Sequence, residues 1–241
     1  MRILVTGASR GLGLAIAHYL THQCEPGQYQ VDAISRTPPP SCSEWGLSED
    51  VAQWYQIDLS GTQTIEQTLE TIDWASYDGL VLNAGQGLGK LLPATSMAEV
   101  ATNLHVNLYA NIRLATLYLR CRLKTQQPGV IVIVSSIAAL GGFSGLSVYG
   151  AAKAGLVGFM RGLAREWGSK GWRVNAVCPG FLETEMTEML PHTEKEKIRR
   201  RTPLQRLGQS MDVAPVVEFL LSEKAQWITG QALVVDGGMS L

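Results

Sequence analysis

The order of the chain predicts an α/β fold with a doubly wound parallel sheet covered by helices on both faces. Short apolar runs alternate with longer stretches of helical period along nearly the whole sequence. The runs are rich in Val and Ile and lack polar alternation, as parallel strands buried on both faces should be. A glycine cluster falls between the first run and the first helical stretch, where such folds place a ligand. Strands are expected at 3–6, 31–35, 54–58, 80–83, 130–135, 174–178 and 233–236. Helices are expected over 12–22, 97–124, 148–169 and 213–222. Ser96 with Glu99 forms a capping box that opens the second of these. Segment 37–50 holds three consecutive prolines and a Trp-Gly step, so it reads as a loop where a crossover helix would be expected. Strand–helix alternation implies right-handed crossovers. No internal repeat or linker divides the chain, so one domain over 1–241 is expected.

The glycine cluster is Thr6-Gly7-Ala8-Ser9-Arg10-Gly11-Leu12-Gly13. Its glycines allow a tight turn that brings backbone N–H groups close to a diphosphate, and the following helix N-terminus favours the negative charge. The spacing is G-x-x-x-G-x-G rather than G-x-G-x-x-G, but its place after a first strand still points to a dinucleotide and a Rossmann-type sheet. The end of the second strand selects the nucleotide. An NAD site offers a carboxylate there, about 20 residues after the glycines. This chain offers Ser35-Arg36. Asp32 is near, but its odd offset from Ser35 turns it to the opposite face of the strand. Arg36 and Arg10 are left for a 2′-phosphate, which favours NADP(H).

Tyr149 and Lys153 are four residues apart on a predicted helix and so share one face. A free phenol, with a pKa of about 10, is a poor proton donor at neutral pH. A neighbouring cation lowers that value; three units need about 4 kcal/mol of differential interaction. Such a tyrosine can give a proton to a carbonyl oxygen or take one from an alcohol.

Composition bounds the rest. Of 241 residues, 46% are hydrophobic and 17% charged, and the net charge of −1 gives no reason to expect nucleic acid or an anionic membrane as partner. Cys24, Cys42, Cys121 and Cys178 form neither a C-x-x-C pair nor a zinc pattern, which fits thiols in a reducing cytosol. No stretch approaches the roughly 20 apolar residues of a membrane span, and the N-terminus has no signal-like segment, so a cytoplasmic protein is expected.

The glycine loop, Asn83-Ala84-Gly85 after the fourth strand, Tyr149-x-x-x-Lys153 and Pro179-Gly180, in that order, resemble the short-chain dehydrogenase/reductase family from residue 2 to residue 236. The resemblance implies hydride transfer from the cofactor, with Tyr149 as general acid/base. Lys153 would bind the nicotinamide ribose and lower the tyrosine pKa. Ser136, thirteen residues before Tyr149, would hold the substrate oxygen, and its neighbour Ser135 would point the other way. Asn107 would support a water chain relaying protons to the lysine. Asp58 and Leu59 would flank the adenine, and Asn83, Ala84 and Gly85 would line the adenosine side. Pro179, Gly180 and Thr184 would shape the nicotinamide pocket, with Leu182 offering backbone to the carboxamide. None of these roles needs a metal.

Within that family the C-terminal half is most similar to bacterial 3-oxoacyl-[acyl-carrier-protein] reductases, through 149–159, 173–186, 202–208, 228–231 and 235–238. This similarity implies a 3-oxoacyl thioester substrate, borne on a carrier protein, and a homotetramer. Two departures imply a specialised enzyme of a secondary pathway. Residues 86–93 replace a Thr-Arg-Asp-like segment, and Gln127 stands at a position that is often basic, while Lys170 keeps the second docking position. The helical segment 187–201 would cap the substrate. It carries Lys195, Lys197, Arg199, Arg200 and Arg201, charges suited to an acidic carrier or a phosphopantetheine phosphate, or else to a solvated face balanced by Glu194 and Glu196. A diffusible ketone, quinone or sugar alcohol is the alternative substrate. A cofactor-binding protein without turnover is the third reading, and the set Asn107, Ser136, Tyr149 and Lys153 counts against it.

Overall fold

A computed structural model describes residues 1–38, 51–61, 69–188 and 190–241. Seven strands form one sheet: β1 (Arg2–Thr6), β2 (Gln30–Ser35), β3 (Val51–Gln56), β4 (Gly79–Leu82), β5 (Val130–Val134), β6 (Arg173–Pro179) and β7 (Ala232–Val235). Their order is β3-β2-β1-β4-β5-β6-β7 and every pairing is parallel. The order reverses between β1 and β4, which opens a crevice at the C-terminal ends of these strands. The helices whose bounds are described are α1 (Gly11–His22), α2 (Met97–Leu104), α3 (Ala110–Lys124), α4 (Ser147–Trp167), α5 (Glu185–Glu188), α6 (His192–Arg201) and α7 (Ser210–Leu221). No described helix is long and apolar enough to cross a membrane.

The strands build two cores because successive side chains point to opposite faces. Leu80, Leu82, Ile131 and Ile133 pack on one side with Leu114 and Tyr118 of α3 and Leu156 and Met160 of α4. Val81, Val132 and Val134 pack on the other with Ile16 and Leu20 of α1 and Val213 and Val217 of α7. Each of these side chains is 5% exposed or less, and each contributes roughly 1.5–3 kcal/mol against leaving it in water.

Three details differ from the sequence expectation. The third strand lies at Val51–Gln56 rather than 54–58, because pairing with β2 sets its register (Ala33 opposite Trp54, Ser35 opposite Gln56). The helix expected over 97–124 is interrupted by a π-helical turn at His105–Tyr109. The cap expected over 187–201 resolves into α5 and α6. The Ser96–Glu99 capping box is present. The loop read over 37–50 lies, from residue 39 onward, outside the described residues, as does Cys42.

Candidate active site

The C-terminal ends of β1, β2, β4, β5 and β6 open into a cavity of about 760 Å³, within the roughly 300–1,000 Å³ of ligand sites. Gly7, Ser9, Arg10, Gly11, Leu12 and Gly13 form one wall. Gly7 and Gly11 have φ of +68° and +55°, which a β-carbon disfavours. A β-carbon on Gly13 would lie 2.2 Å from the Gly7 carbonyl oxygen, so the loop closes only around glycine. Arg10 is the N-cap of α1; no side chain caps that end and no acidic residue stands in the first turn. The helix N-terminus therefore keeps its N–H groups for an anion, which fits the diphosphate of a dinucleotide.

Asn83, Ala84 and Gly85 are clasped to the end of β1. The Thr6 hydroxyl accepts from the N–H groups of Asn83 and Ala84, both at 3.0 Å, and the Asn83 amide donates to the Thr6 and Gly7 carbonyls at 3.0 and 3.2 Å. Ser35, Arg36, Asp58 and Leu59 line the far end of the cavity. Burial pushes the Asp58 carboxyl up, but the Ser60 N–H and hydroxyl and the Arg36 charge prevail and hold it below its usual range. Asp32 faces away. It is fully buried, and it accepts from Arg2 Nε and Nη2 at 3.0 and 2.6 Å and from the Tyr77 hydroxyl at 2.6 Å.

Tyr149 and Lys153 enter the cavity from α4, together with Ser136 after β5. Ser136 Oγ accepts from the Ala138 N–H at 3.1 Å, which leaves its own proton to donate. Ser135 points elsewhere, its hydroxyl donating to the Lys153 carbonyl at 2.9 Å. Lys153 is 3% exposed, and its Nζ donates to the Val134 carbonyl at 2.9 Å and sits 5.7 Å from the Tyr149 ring centroid. Burial lowers its pKa to about 8. The structure departs here from the expected depression of the phenol: burial raises the Tyr149 pKa, and the hydrogen bond with Ser136 only partly opposes it. The Lys153 ammonium is turned to a β5 carbonyl and does not offset this burial.

Asn107 stands apart from the other expected residues, since it does not line the cavity. It is fully buried in the π-helical turn, one layer behind. Its Oδ1 accepts from the Gln86 N–H at 3.0 Å, and its Nδ2 donates to the Gln86 and Asn103 carbonyls at 2.9 and 3.0 Å. Gly85 lies between Asn107 and Lys153: a β-carbon there would be 2.7 Å from Asn107 Oδ1 and 3.3 Å from Lys153 Nζ.

Pro179, Gly180, Leu182 and Thr184 close the remaining side. A β-carbon on Gly180 would lie 2.8 Å from Asp236 Cα, so β6 and the turn after β7 touch at that point. The Leu182 carbonyl is already taken by the Thr187 hydroxyl. Three features were not foreseen. Arg10 is held by Glu185, Nη1 to Oε2 at 2.6 Å, so a carboxylate does stand within its reach. Phe143 and Phe181 meet edge to face with centroids 5.9 Å apart on the cavity wall. Asn103, Asn107 and Asn111 form an amide ladder whose i, i+4 spacing is visible in the sequence.

A family model described as enoyl-(acyl carrier protein) reductase matches residues 7–240. The 3-oxoacyl-[acyl-carrier-protein] reductase of Salmonella typhimurium is 37% identical over 238 residues, covering 98% of this chain and 96% of the relative. The protein of that name from Bos taurus is 37% identical over 246 residues, covering 98% and 97%. Among solved structures, a 2-deoxy-d-gluconate 3-dehydrogenase homologue from Agrobacterium tumefaciens with bound NADP superposes with TM-score 0.88 at 31% identity, covering 99% of this chain and 95% of that one. A 4-hydroxyisoleucine dehydrogenase complexed with NADH superposes with TM-score 0.89 at 26% identity, covering 99% and 98%. With its parallel sheet, glycine loop and near full-length match, the chain belongs to the short-chain dehydrogenase/reductase family and is an NADP(H)-binding oxidoreductase.

Proposed function

We propose that the chain is an NADPH-dependent ketoreductase that reduces 3-oxoacyl thioesters on an acyl carrier protein to their 3-hydroxyacyl forms, in a specialised fatty-acid or polyketide-like pathway. The observation that carries this reading is one cavity that joins a half-buried phenol to an apolar wall. Tyr149 and Ser136 share it with Leu88, Ile137, Phe143, Leu146, Phe181 and Leu190. An acyl chain gains from such a wall, whereas a sugar acid would leave its hydroxyls without partners there. The relatives named as 3-oxoacyl reductases support the thioester, and the gluconate-type structural neighbour does not outweigh the apolar lining.

When bound, the cofactor supplies the hydride. Ser136 donates to the carbonyl oxygen and fixes it beside Tyr149. The phenol, kept protonated by burial, gives its proton to that oxygen as negative charge develops. Lys153 and Asn107 return a proton from solvent and steady the ribose side. Arg36 meets the 2′-phosphate, with Asp32 turned away and committed to Arg2. On α6, Glu194 and Glu196 pair with Lys197 and Arg199, which leaves Lys195, Arg200 and Arg201 to present positive charge to an acidic carrier. We place the enzyme in the cytoplasm as a homotetramer of single-domain chains; the free thiols Cys24, Cys121 and Cys178 support a reducing compartment.

The test is NADPH oxidation followed in parallel with a carrier-bound 3-oxoacyl thioester, its small-thioester mimic and a panel of simple ketones and sugar acids. The carrier-bound thioester should give the highest kcat/KM; a sugar acid or simple ketone in first place refutes the substrate. Tyr149→Phe should lower kcat at least about 100-fold while NADPH still binds, and unchanged turnover refutes the mechanism.

A further inference from the structure

We infer that Asn111 is a positioning residue for the reduction: its carboxamide holds the π-helical turn that carries Asn107, and through it the segment 84–86 beside Lys153. This inference rests on the proposed roles of Asn107 and Lys153. Asn111 is fully buried at the start of α3. Its Nδ2 donates to three carbonyls, those of Asn107 at 3.1 Å and of Val106 and Ala84 at 3.2 Å. Two belong to the turn and the third to the strand end that Asn107 clasps from the other side.

The turn explains why an amide is needed. At its end the Ala110 N–H reaches back to the His105 carbonyl, five residues away, instead of to Val106. The Val106 carbonyl thus loses its ordinary helical donor, in a place too buried for water to replace it freely. The Asn111 nitrogen supplies the donor. Its Oδ1 has no partner among the described residues, so the amide is there for its N–H groups. Turned around, it would point an oxygen at three carbonyl oxygens. An apolar residue would suit this buried site better if packing were its only task.

The Ala84 bond couples the turn to the cavity. Asn111 holds Ala84, while Asn107 and Asn103 hold Gln86, with the Asn103 amide donating to the Gln86 carbonyl at 3.3 Å. Gly85 is fixed between them and packs beside Lys153 Nζ. Asn111 is therefore the upper anchor of a three-amide clamp whose middle member is Asn107.

Asn111→Ala tests the clamp, with Asn111→Ser and Asn107→Ala beside it. A serine can donate to the carbonyl four residues back, that of Asn107, but is too short to reach Ala84. In the cofactor-free protein, amide exchange of Gln86 and of residues 105–110 should quicken at least about tenfold in Asn111→Ala, while β5 keeps its protection. In the NADPH assay, with a 3-oxobutanoyl thioester or the ketone that the wild type turns over fastest, kcat should fall about tenfold and KM for NADPH stay within about twofold. Asn111→Ser should recover protection at 105–110 and part of kcat, and it carries the test if the alanine variant does not fold. Unchanged exchange at Gln86, or a loss of kcat that merely follows the folded fraction by circular dichroism, overturns the inference. If Asn107→Ala keeps wild-type kcat, the proton-relay reading itself fails; if only Asn107→Ala is impaired, the role of Asn111 alone fails.

Discussion

Lys153 holds its ammonium where water scarcely reaches, with the Val134 carbonyl as its acceptor. Burial brings its pKa from 10.5 to about 8, so at pH 7 the fold carries a buried charge at a cost of about 3 kcal/mol. Lys153→Met removes that cost and orphans the Val134 carbonyl, a loss of about 1–3 kcal/mol. A small net gain in stability at pH 7 is expected, with turnover lost. The pH dependence has a definite sign. Between about 8 and 10.5 the unfolded lysine binds a proton that the folded one does not. The wild type should therefore gain stability over the methionine variant as pH rises through that window. Parallel urea midpoints across it would show that Lys153 is not desolvated. Arg36 is the second residue whose charge decides something. It is exposed at the end of β2, close enough to influence Asp58. Arg36→Asp should move the NADPH/NADH ratio of kcat/KM toward NADH by at least about tenfold; an unaltered ratio would remove Arg36 from cofactor selection.

At the scale of the element, what can be read in the sequence depends on the range of the interaction that decides it. The strands of the sheet interior and the Ser96 capping box are local patterns, so both are visible in the sequence. The box is tightened by Lys90, whose Nζ lies 2.9 Å from Glu99; the Ser96 N–H and then Lys90 hold the Glu99 carboxyl at about 2. The π-helical turn is not visible, because the apolar period runs on through it and the amide bonds to Ala84 and Gln86 decide it. The Arg10–Glu185 pair spans 175 positions and depends on the turn after β6 leaning over the glycine loop. Arg173 also acts across the chain, over 47 to 52 positions. From the first position of β6 its guanidinium donates to the carbonyls of Leu220, Leu221, Ser222 and Ala225 at 2.6–3.3 Å and closes the C-terminus of α7. That end offers a partial negative charge and carbonyls without helical partners. Arg173→Met should lower the unfolding free energy by about 2–4 kcal/mol, read as a reduced urea midpoint with unchanged slope. A loss below about 0.5 kcal/mol would assign the closure of α7 to packing alone.

At the scale of the molecule, two surface regions bear on the proposed homotetramer. β7 ends the sheet and pairs with β6 alone among the described strands. Beside it Trp227 is 97% exposed, with Val234 and Leu241 also at the surface. On the outer face of α4, β-carbons built on Gly158 and Gly162 would meet nothing within 4 Å. Glycines on successive turns let another helix approach closely. In the proposed homotetramer each face would pair with its own kind, and two such pairings close a tetramer with dihedral symmetry. Light scattering should therefore give about 105 kDa, four times the 26.2 kDa of the chain. Gly158→Trp fills the flat face of α4, and Trp227→Lys places a charge at the sheet edge. Each should leave a dimer of about 52 kDa, and the two together a monomer. A monomeric wild type would refute the assembly. A tetramer unmoved by either substitution would place its interfaces elsewhere.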